Sequence, residues 1–284
     1  MLSHRPRNVR FSIITPSFRQ SDWLKLCVAS VADQGVEHEH IVQDPGSDDG
    51  TLDWLRKDRR VRAFVEPDEG MYDALNRGLR RSSGEILGHL NCDEQYLPGA
   101  LPEVSSYMDE HPEVDVLFAD AVVVDGDGRY RFHRKVLTPS RWHTRVRPLS
   151  TLTCATFFRR SVLDVHKCFF DARYQCIGDG EWVSRLFDHG LRMGVLGQFT
   201  SAFTLTGSNL GSSADAREEF RAWAGTAPRW LRATQLLWLL HHRLRRLSGG
   251  IYFQAPFDYA IYTRAVPDRR ASFHVVEPRF RWRT

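Results

Sequence analysis

A chain of 284 residues, 42% hydrophobic and 26% charged, can bury the core of one large domain, or of one domain with an appendage, and is not a disordered or low-complexity chain. Its net charge of +4 conceals an asymmetry: residues 228–284 hold 11 Lys/Arg against 3 Asp/Glu, a net of +8, so the first 227 residues sum to −4. Five scattered cysteines (Cys27, Cys92, Cys154, Cys168, Cys176) without a CxxC pair argue against a disulfide framework and a zinc site, and point to a reducing compartment.

Strand and helix patterns alternate along the first half. Residues 11–14 read as an apolar strand, 22–31 as a helix with Leu24, Val28 and Val31 on one face, and 40–42 as a strand ending at Asp44. A short helix at 51–56, a strand at 61–65 and a helix at 71–80 follow, with Leu75 and Leu79 spaced i, i+4. Then come a strand at 85–90, a helix at 101–109 and a strand at 114–118. Residues 121–124 and 130–134, joined by the turn Asp125–Gly128, suggest a hairpin. Beyond it the pattern predicts a strand at 156–159, a helix at 179–189, a strand at 193–196 and a long helix at 229–247 between Pro228 and Gly249–Gly250. Alternation with short loops predicts an α/β fold, a mainly parallel sheet covered by helices on both faces. No run approaches the roughly 20 apolar residues of a membrane span, and MLSHRPRNVR lacks a signal-peptide core, so a cytoplasmic protein is expected.

Ligands of such sheets bind beyond the carboxyl ends of the strands. The polar residues gather there: Thr15 to Ser17, Asp44 to Asp49, Asp68 and Glu69, and Asn91 to Glu94. Neither GxGxxG nor GxxxxGK[ST] occurs, so a dinucleotide fingerprint and a P-loop are unsupported. Asp93 and Glu94, adjacent at a strand end, repel each other and suffer desolvation unless a cation lies near; a divalent metal holding a diphosphate is the common remedy. Asp44 can accept a hydrogen bond from a base or cap the turn that follows; its place before the turn favours the base. Asp73 and Asn76 share a helix face, while negative groups near that helix start can also serve its dipole. Asp179 and Glu181 point about 200° apart on their helix, so one alone faces any pocket. Glu181 has Arg185 four residues on and reads as an ion pair; Asp179 reads as an N-cap or as the pocket carboxylate.

Five blocks in order resemble glycosyltransferase family 2, the inverting enzymes of the GT-A fold: FSIITPSFRQ (11–20), QDPGSDDGT (43–51), DEGMYDALNRG (68–78), LNCDE (90–94) and GDGEWVSRL (178–186). The resemblance covers about the first 190 residues and implies a domain at 1–227, with a nucleotide-sugar half to about residue 120 and an acceptor and base half beyond it. It implies a donor pocket of Thr15, Pro16, Ser17, Asp44, Ser47, Asp68, Asp73, Asn76, Asn91 and Cys92, with Asp93, and Glu94 beside it, on Mn2+ or Mg2+. Arg77 or Arg80 is a candidate for the diphosphate. Asp179 takes the place of the general base. The family's Asp-x-Asp is here Asn91-Cys92-Asp93, one negative charge fewer, and its acceptor-side His-Gln pair is here Thr153-Cys154. The implied reaction moves a sugar from a nucleotide-diphosphate donor, UDP or dTDP, to a hydroxyl of a glycan or lipid-linked glycan in cell-surface polysaccharide or glycolipid synthesis.

In the basic C-terminal region, 228–284, Trp230, Ala233, Leu237, Leu240, Leu244 and Leu247 form one apolar stripe. It packs on its own domain or a second copy in a homodimer, or lies on an anionic membrane at the inner face of the plasma membrane. Two rivals remain: a sugar-nucleotide nucleotidyltransferase, disfavoured because ITPSFRQ has no glycine, and a non-catalytic nucleotide-binding domain whose tail binds nucleic acid, disfavoured by the acidic front half. No nucleic-acid partner is expected.

Overall fold

The computed structural model describes residues 9–207, 209 and 213–282. The N-terminal residues 1–8, on which the leader reading rests, and the last two of the basic tail lie outside the described residues. In the donor half β1 (Phe11–Pro16), α1 (Ser21–Ala32), β2 (His38–Asp44), α2 (Thr51–Leu55), β3 (Arg62–Val65), α3 (Met71–Arg81) and β4 (Ile86–His89) alternate as the pattern predicts. Then follow β5 (Glu94–Tyr96), α4 (Ala100–Glu110), β6 (Val116–Asp125), β7 (Tyr130–Arg134), α5 (Arg141–Val146), β8 (Thr156–Arg159), α6 (Ser161–Asp164), α7 (Gly178–Asp188) and β9 (Met193–Leu205). The chain closes with α8 (Ala214–Gly225), α9 (Arg229–Ala233), α10 (Gln235–Ser248), β10 (Phe257–Thr263) and β11 (Val266–Val275).

One nine-stranded sheet runs β3-β2-β1-β4-β8-β6-β9-β5, with β7 paired to β6. The four strands β3, β2, β1 and β4 are parallel, and β6 runs parallel to β9. β8 enters antiparallel between β4 and β6. Side chains alternate across the sheet as a period of two requires. Phe11, Ile13, Ile86, Leu117 and Phe157 pack with α1 and α4, while Ile14, Leu87, Phe118 and Phe158 pack with α3 and α7.

The second half departs from the pattern in instructive ways. β6 is one strand of ten residues where two are expected; its first half pairs with β8 and its second with β7. Buried nearly throughout, it shows no alternation to mark its length. The region after residue 228 is not helical throughout. Its expected long helix breaks at Thr234 into α9 and α10, and the β10–β11 hairpin follows. Tyr259, Ile261 and Val275 of that hairpin pack on Val122, Val124 and Ala202 of the main sheet. The stripe of α10 does not pack on its own domain: Leu237, Leu240, Leu244 and Leu247 are 55% to 63% exposed.

Candidate active site

The ends of β1, β2 and β4 converge on one rim, and short hydrogen bonds stitch their loops together. Cys92 Sγ donates to Pro16 O at 3.2 Å, Ser17 N to Gln43 O at 2.8 Å, and Arg19 N to Ser47 Oγ at 2.8 Å. Pro16, Ser17, Asp44, Ser47, Cys92 and Asp93 thus belong to one neighbourhood. Burial and the nearby Asp93 and Asp44 charges push the Cys92 thiol up to about 12, so it stays a neutral donor.

Several predicted donor residues have structural duties. Asp44 Oδ1 accepts from Gly46 N (2.9 Å) and Ser47 N (2.7 Å), and Oδ2 accepts from Ser47 Oγ (2.8 Å). Three of its roughly four acceptor sites therefore cap its own turn, the alternative that the sequence disfavoured. Thr15 is fully buried with its hydroxyl 2.8 Å from His40 Nε2, so its backbone, not its side chain, forms the rim. Asn76 grips Phe170 with both ends of its amide, Nδ2 to Phe170 O at 2.7 Å and Oδ1 from Phe170 N at 3.0 Å. That side chain faces the core and pins the loop before α7 instead of lining a donor pocket. Asp73 Oδ2 accepts from Glu69 N and Arg77 Nε, a helix-start duty, and Arg77 also pairs with Glu66. Arg80 stacks on Phe169. Asp68 caps Gly70 N, and burial raises its pKa.

Asp93 and Glu94 diverge. Glu94 begins β5 with no exposed surface; one carboxylate oxygen accepts from Asn91 N at 2.7 Å and the other, Oε1, is buried without a hydrogen-bond partner among the described residues. Burial, then the Asp93 charge, raises its pKa. Asp93 is half-buried on the rim, raised by burial, and its Oδ2 accepts from Asn209 Nδ2 at 3.2 Å. No group of three or more metal-capable His, Cys, Asp or Glu side chains occurs among the described residues. Mg2+ and Mn2+ are held by one or two carboxylates with phosphate and water completing the shell, so the two strained carboxyls suit a hard cation, with Asp93 as the rim ligand. Glu94, turned inward, is held toward its protonated form by that burial.

The base side is built differently. Asp179 stands in the first turn of α7, its Oδ1 accepting from Gly180 N at 2.8 Å and its own N donating to Tyr72 Oη at 3.1 Å. Gly178 is required because the Tyr72 ring would lie 2.7 Å from a Cβ there. Burial pushes the Asp179 carboxyl up to about 6. It lines a cavity of about 10 Å³, room for about one water, together with His89, Thr153, Thr156 and the Phe170 and Trp182 rings. Asp93 and Asp44 are not among the lining residues; β4 links the two places, because His89 borders the cavity four residues before Asp93. Glu181 pairs with Arg185 at 2.7 Å, as expected.

Four residues escaped the sequence reading. His89 is neutral, burial pushing it down to about 4, and its Nε2 has no partner among the described residues; inside an apolar strand it gave no signal. Tyr72 and Asn209 lie outside recognisable spacing. Glu219 of α8 accepts from Gln175 N, Cys176 N and Ile177 N at 2.7, 2.8 and 2.9 Å, holding the loop that enters α7.

The family model described as Glycosyl transferase family 2 matches residues 12–166. The PGL/p-HBAD biosynthesis glycosyltransferase Rv2957 of Mycobacterium tuberculosis is 26% identical over 190 residues, 63% of this chain and 70% of its own length. The putative teichuronic acid biosynthesis glycosyltransferase TuaG of Bacillus subtilis is 33% identical over 105 residues, 35% of this chain and 42% of its own. Among solved structures, S. aureus TarS 1-349 in complex with UDP-GlcNAc superimposes with a TM-score of 0.59 at 20% identity, over 84% of this chain and 73% of that one. The mannosyltransferase PcManGT from Pyrobaculum calidifontis, in complex with GDP-Man and Mn2+, gives 0.55 at 15% identity, over 86% and 80%. These likenesses show the GT-A fold.

Proposed function

The chain belongs to glycosyltransferase family 2, and we propose that it moves a sugar, with inversion, from a UDP or dTDP donor to a hydroxyl of a cell-surface or lipid-linked glycan. The observation that carries this reading is Asp179: a carboxyl raised to about 6, with a single side-chain hydrogen bond among the described residues, bordering a cavity that His89 of β4 also lines. Such a group is ionised at neutral pH yet basic enough to take a proton from an attacking hydroxyl. One carboxylate suffices for inverting transfer, whereas glycoside hydrolysis uses two flanking the bond.

On the donor side, the stitched loops at Pro16–Ser17, Asp44–Ser47 and Asn91–Asp93 offer backbone groups and the remaining acceptor site of Asp44 to a base and ribose. Asp68 and Asp73 border this rim from the start of α3. A Mn2+ or Mg2+ held by Asp93 would neutralise charge on the departing diphosphate as a Lewis acid. The UDP-GlcNAc held by TarS supports a uridine donor, the Mn2+ held by PcManGT supports the metal, and the name of TuaG supports a cell-surface acceptor. The GDP-Man of that mannosyltransferase makes guanosine the alternative to test.

A thermal-shift panel of UDP, dTDP and GDP with their sugars, each with Mn2+ and with chelator, tests the reading. UDP or dTDP should raise the melting temperature only with metal. A shift with GDP alone replaces the base; no shift with any nucleotide overturns the donor site.

A further inference from the structure

α10 is an amphipathic helix mounted inside out. Leu236, Leu237, Leu240, Leu244 and Leu247 are 68%, 63%, 55%, 56% and 59% exposed. At about 100° per residue these five fall within an arc of about 100°, one coherent face. The opposite face, which meets the protein, carries polar contacts beside Trp238, which packs with Trp142, Val146, Ala227 and Leu231. His242 and Arg246 are buried there, the His242 ring stacks on His143 at 4.0 Å, and Arg245 Nη2 donates to Thr138 O at 2.9 Å. A surface helix normally turns its leucines inward. Single exposed leucines are ordinary, but five on one arc form an interaction surface.

The charge around this face identifies its occupant. Between Phe220 and Phe257 stand six arginines (Arg221, Arg229, Arg232, Arg243, Arg245, Arg246) and no Asp or Glu. Arg229, Arg232 and Arg243 are exposed, and Trp230 of α9 is 51% exposed beside them. Apolar face, flanking arginines and an interfacial tryptophan are what a helix lying in an anionic bilayer surface needs. A second copy fits less well, because a two-fold contact through this face would set the arginines of both copies against each other. No helix is long and apolar enough to cross a membrane among the described residues, so contact is with the surface.

We propose that the outward face of α10 docks this enzyme on an anionic lipid surface. The docking itself stands on the helix alone; its consequence, that the acceptor is lipid-linked rather than free in solution, rests on the proposed function. The test uses the full chain in flotation with vesicles of phosphatidylglycerol and phosphatidylcholine in equal parts, against phosphatidylcholine alone. The chain should float with the anionic vesicles, less as salt rises, and Leu240→Asp/Leu244→Asp should cut the floated fraction about tenfold. Both side chains are exposed, so the variant keeps its fold, which an unchanged melting temperature without ligand checks. No flotation on anionic vesicles, or undiminished flotation of the variant, overturns the proposal. A dimer in solution that the double substitution dissolves, with no flotation, assigns the face to a second copy instead and equally overturns it. A nucleotide shift on the same samples reports on the donor site separately.

Discussion

Asp44 at the sheet rim and Asp179 in the first turn of α7 are both aspartates, and the protein treats them in opposite ways. Asp44 receives three hydrogen bonds from the turn it opens, while among the described residues the Asp179 side chain receives one, from Gly180, and lines a cavity with apolar walls. Asp44 is thereby tied to its own turn, while burial raises the Asp179 carboxyl to about 6. Asp93 and Glu94 repeat the contrast within two residues, one on the rim and one walled into the core. In the first pair the side-chain type is shared and the partners differ; in the second, Asp93 and Glu94 each accept one hydrogen bond among the described residues, and it is burial that differs.

The contrast breaks most sharply at Asp179. Asp179→Asn keeps an acceptor for Gly180 N but loses the basic oxygen, so turnover should fall about 10³-fold while the thermal shift by UDP and Mn2+ persists. Lost nucleotide binding with an intact fold would move Asp179 to the donor side. In the parent enzyme kcat/KM should climb as pH rises through about 6, because the raised carboxyl must ionise before it can accept a proton. Asp93→Asn should lower activity about 100-fold, and added Mn2+ should recover part of it; unchanged Mn2+ dependence would take the metal away from Asp93.

Asn76→Ala asks whether the donor helix contributes chemistry or support. It strands the buried N–H and C=O of Phe170, so urea unfolding should show a loss of about 3 kcal/mol, with the donor KM little altered. A large rise in KM without that loss would restore Asn76 to the pocket. The smallest effect is expected at Glu219→Gln, whose one amide oxygen still accepts from the 176 and 177 amides while the Gln175 N bond is lost, and which removes a charge that raises the Asp179 pKa. Its kcat should drop about tenfold and the acid limb of the pH profile should move to lower pH, which a purely structural role would not produce.

How far the sequence was legible follows the same division. The order β1 to β4 with its helices could be read from apolar periodicity, and the placing of polar residues at strand ends located the rim at Pro16, Asp44 and Asp93. Periodicity does not report which way a polar side chain turns, so Thr15, Asn76 and Glu94 looked like site residues until their partners were visible. The contributions of Glu219 and Asn209 depend on contacts 42 to 44 and 116 residues away in the chain, where no local spacing applies. The stripe of α10 was legible as amphipathic; that it faces away from the protein was not, because a helical pattern fixes a face without saying what lies against it.

The hairpin at the end of the chain has a consequence for synthesis. Arg270 of β11 reaches back to Asp33 at 2.6 Å and to the carbonyls of Ser30 and Tyr96, fastening the first helix with a residue made 237 positions after Asp33. A nascent chain still lacking that residue displays Val122, Val124 and Ala202 uncovered on the ribosome. Closing the fold therefore waits until the hairpin is made, and termination anywhere before it leaves that sheet face uncovered and adhesive.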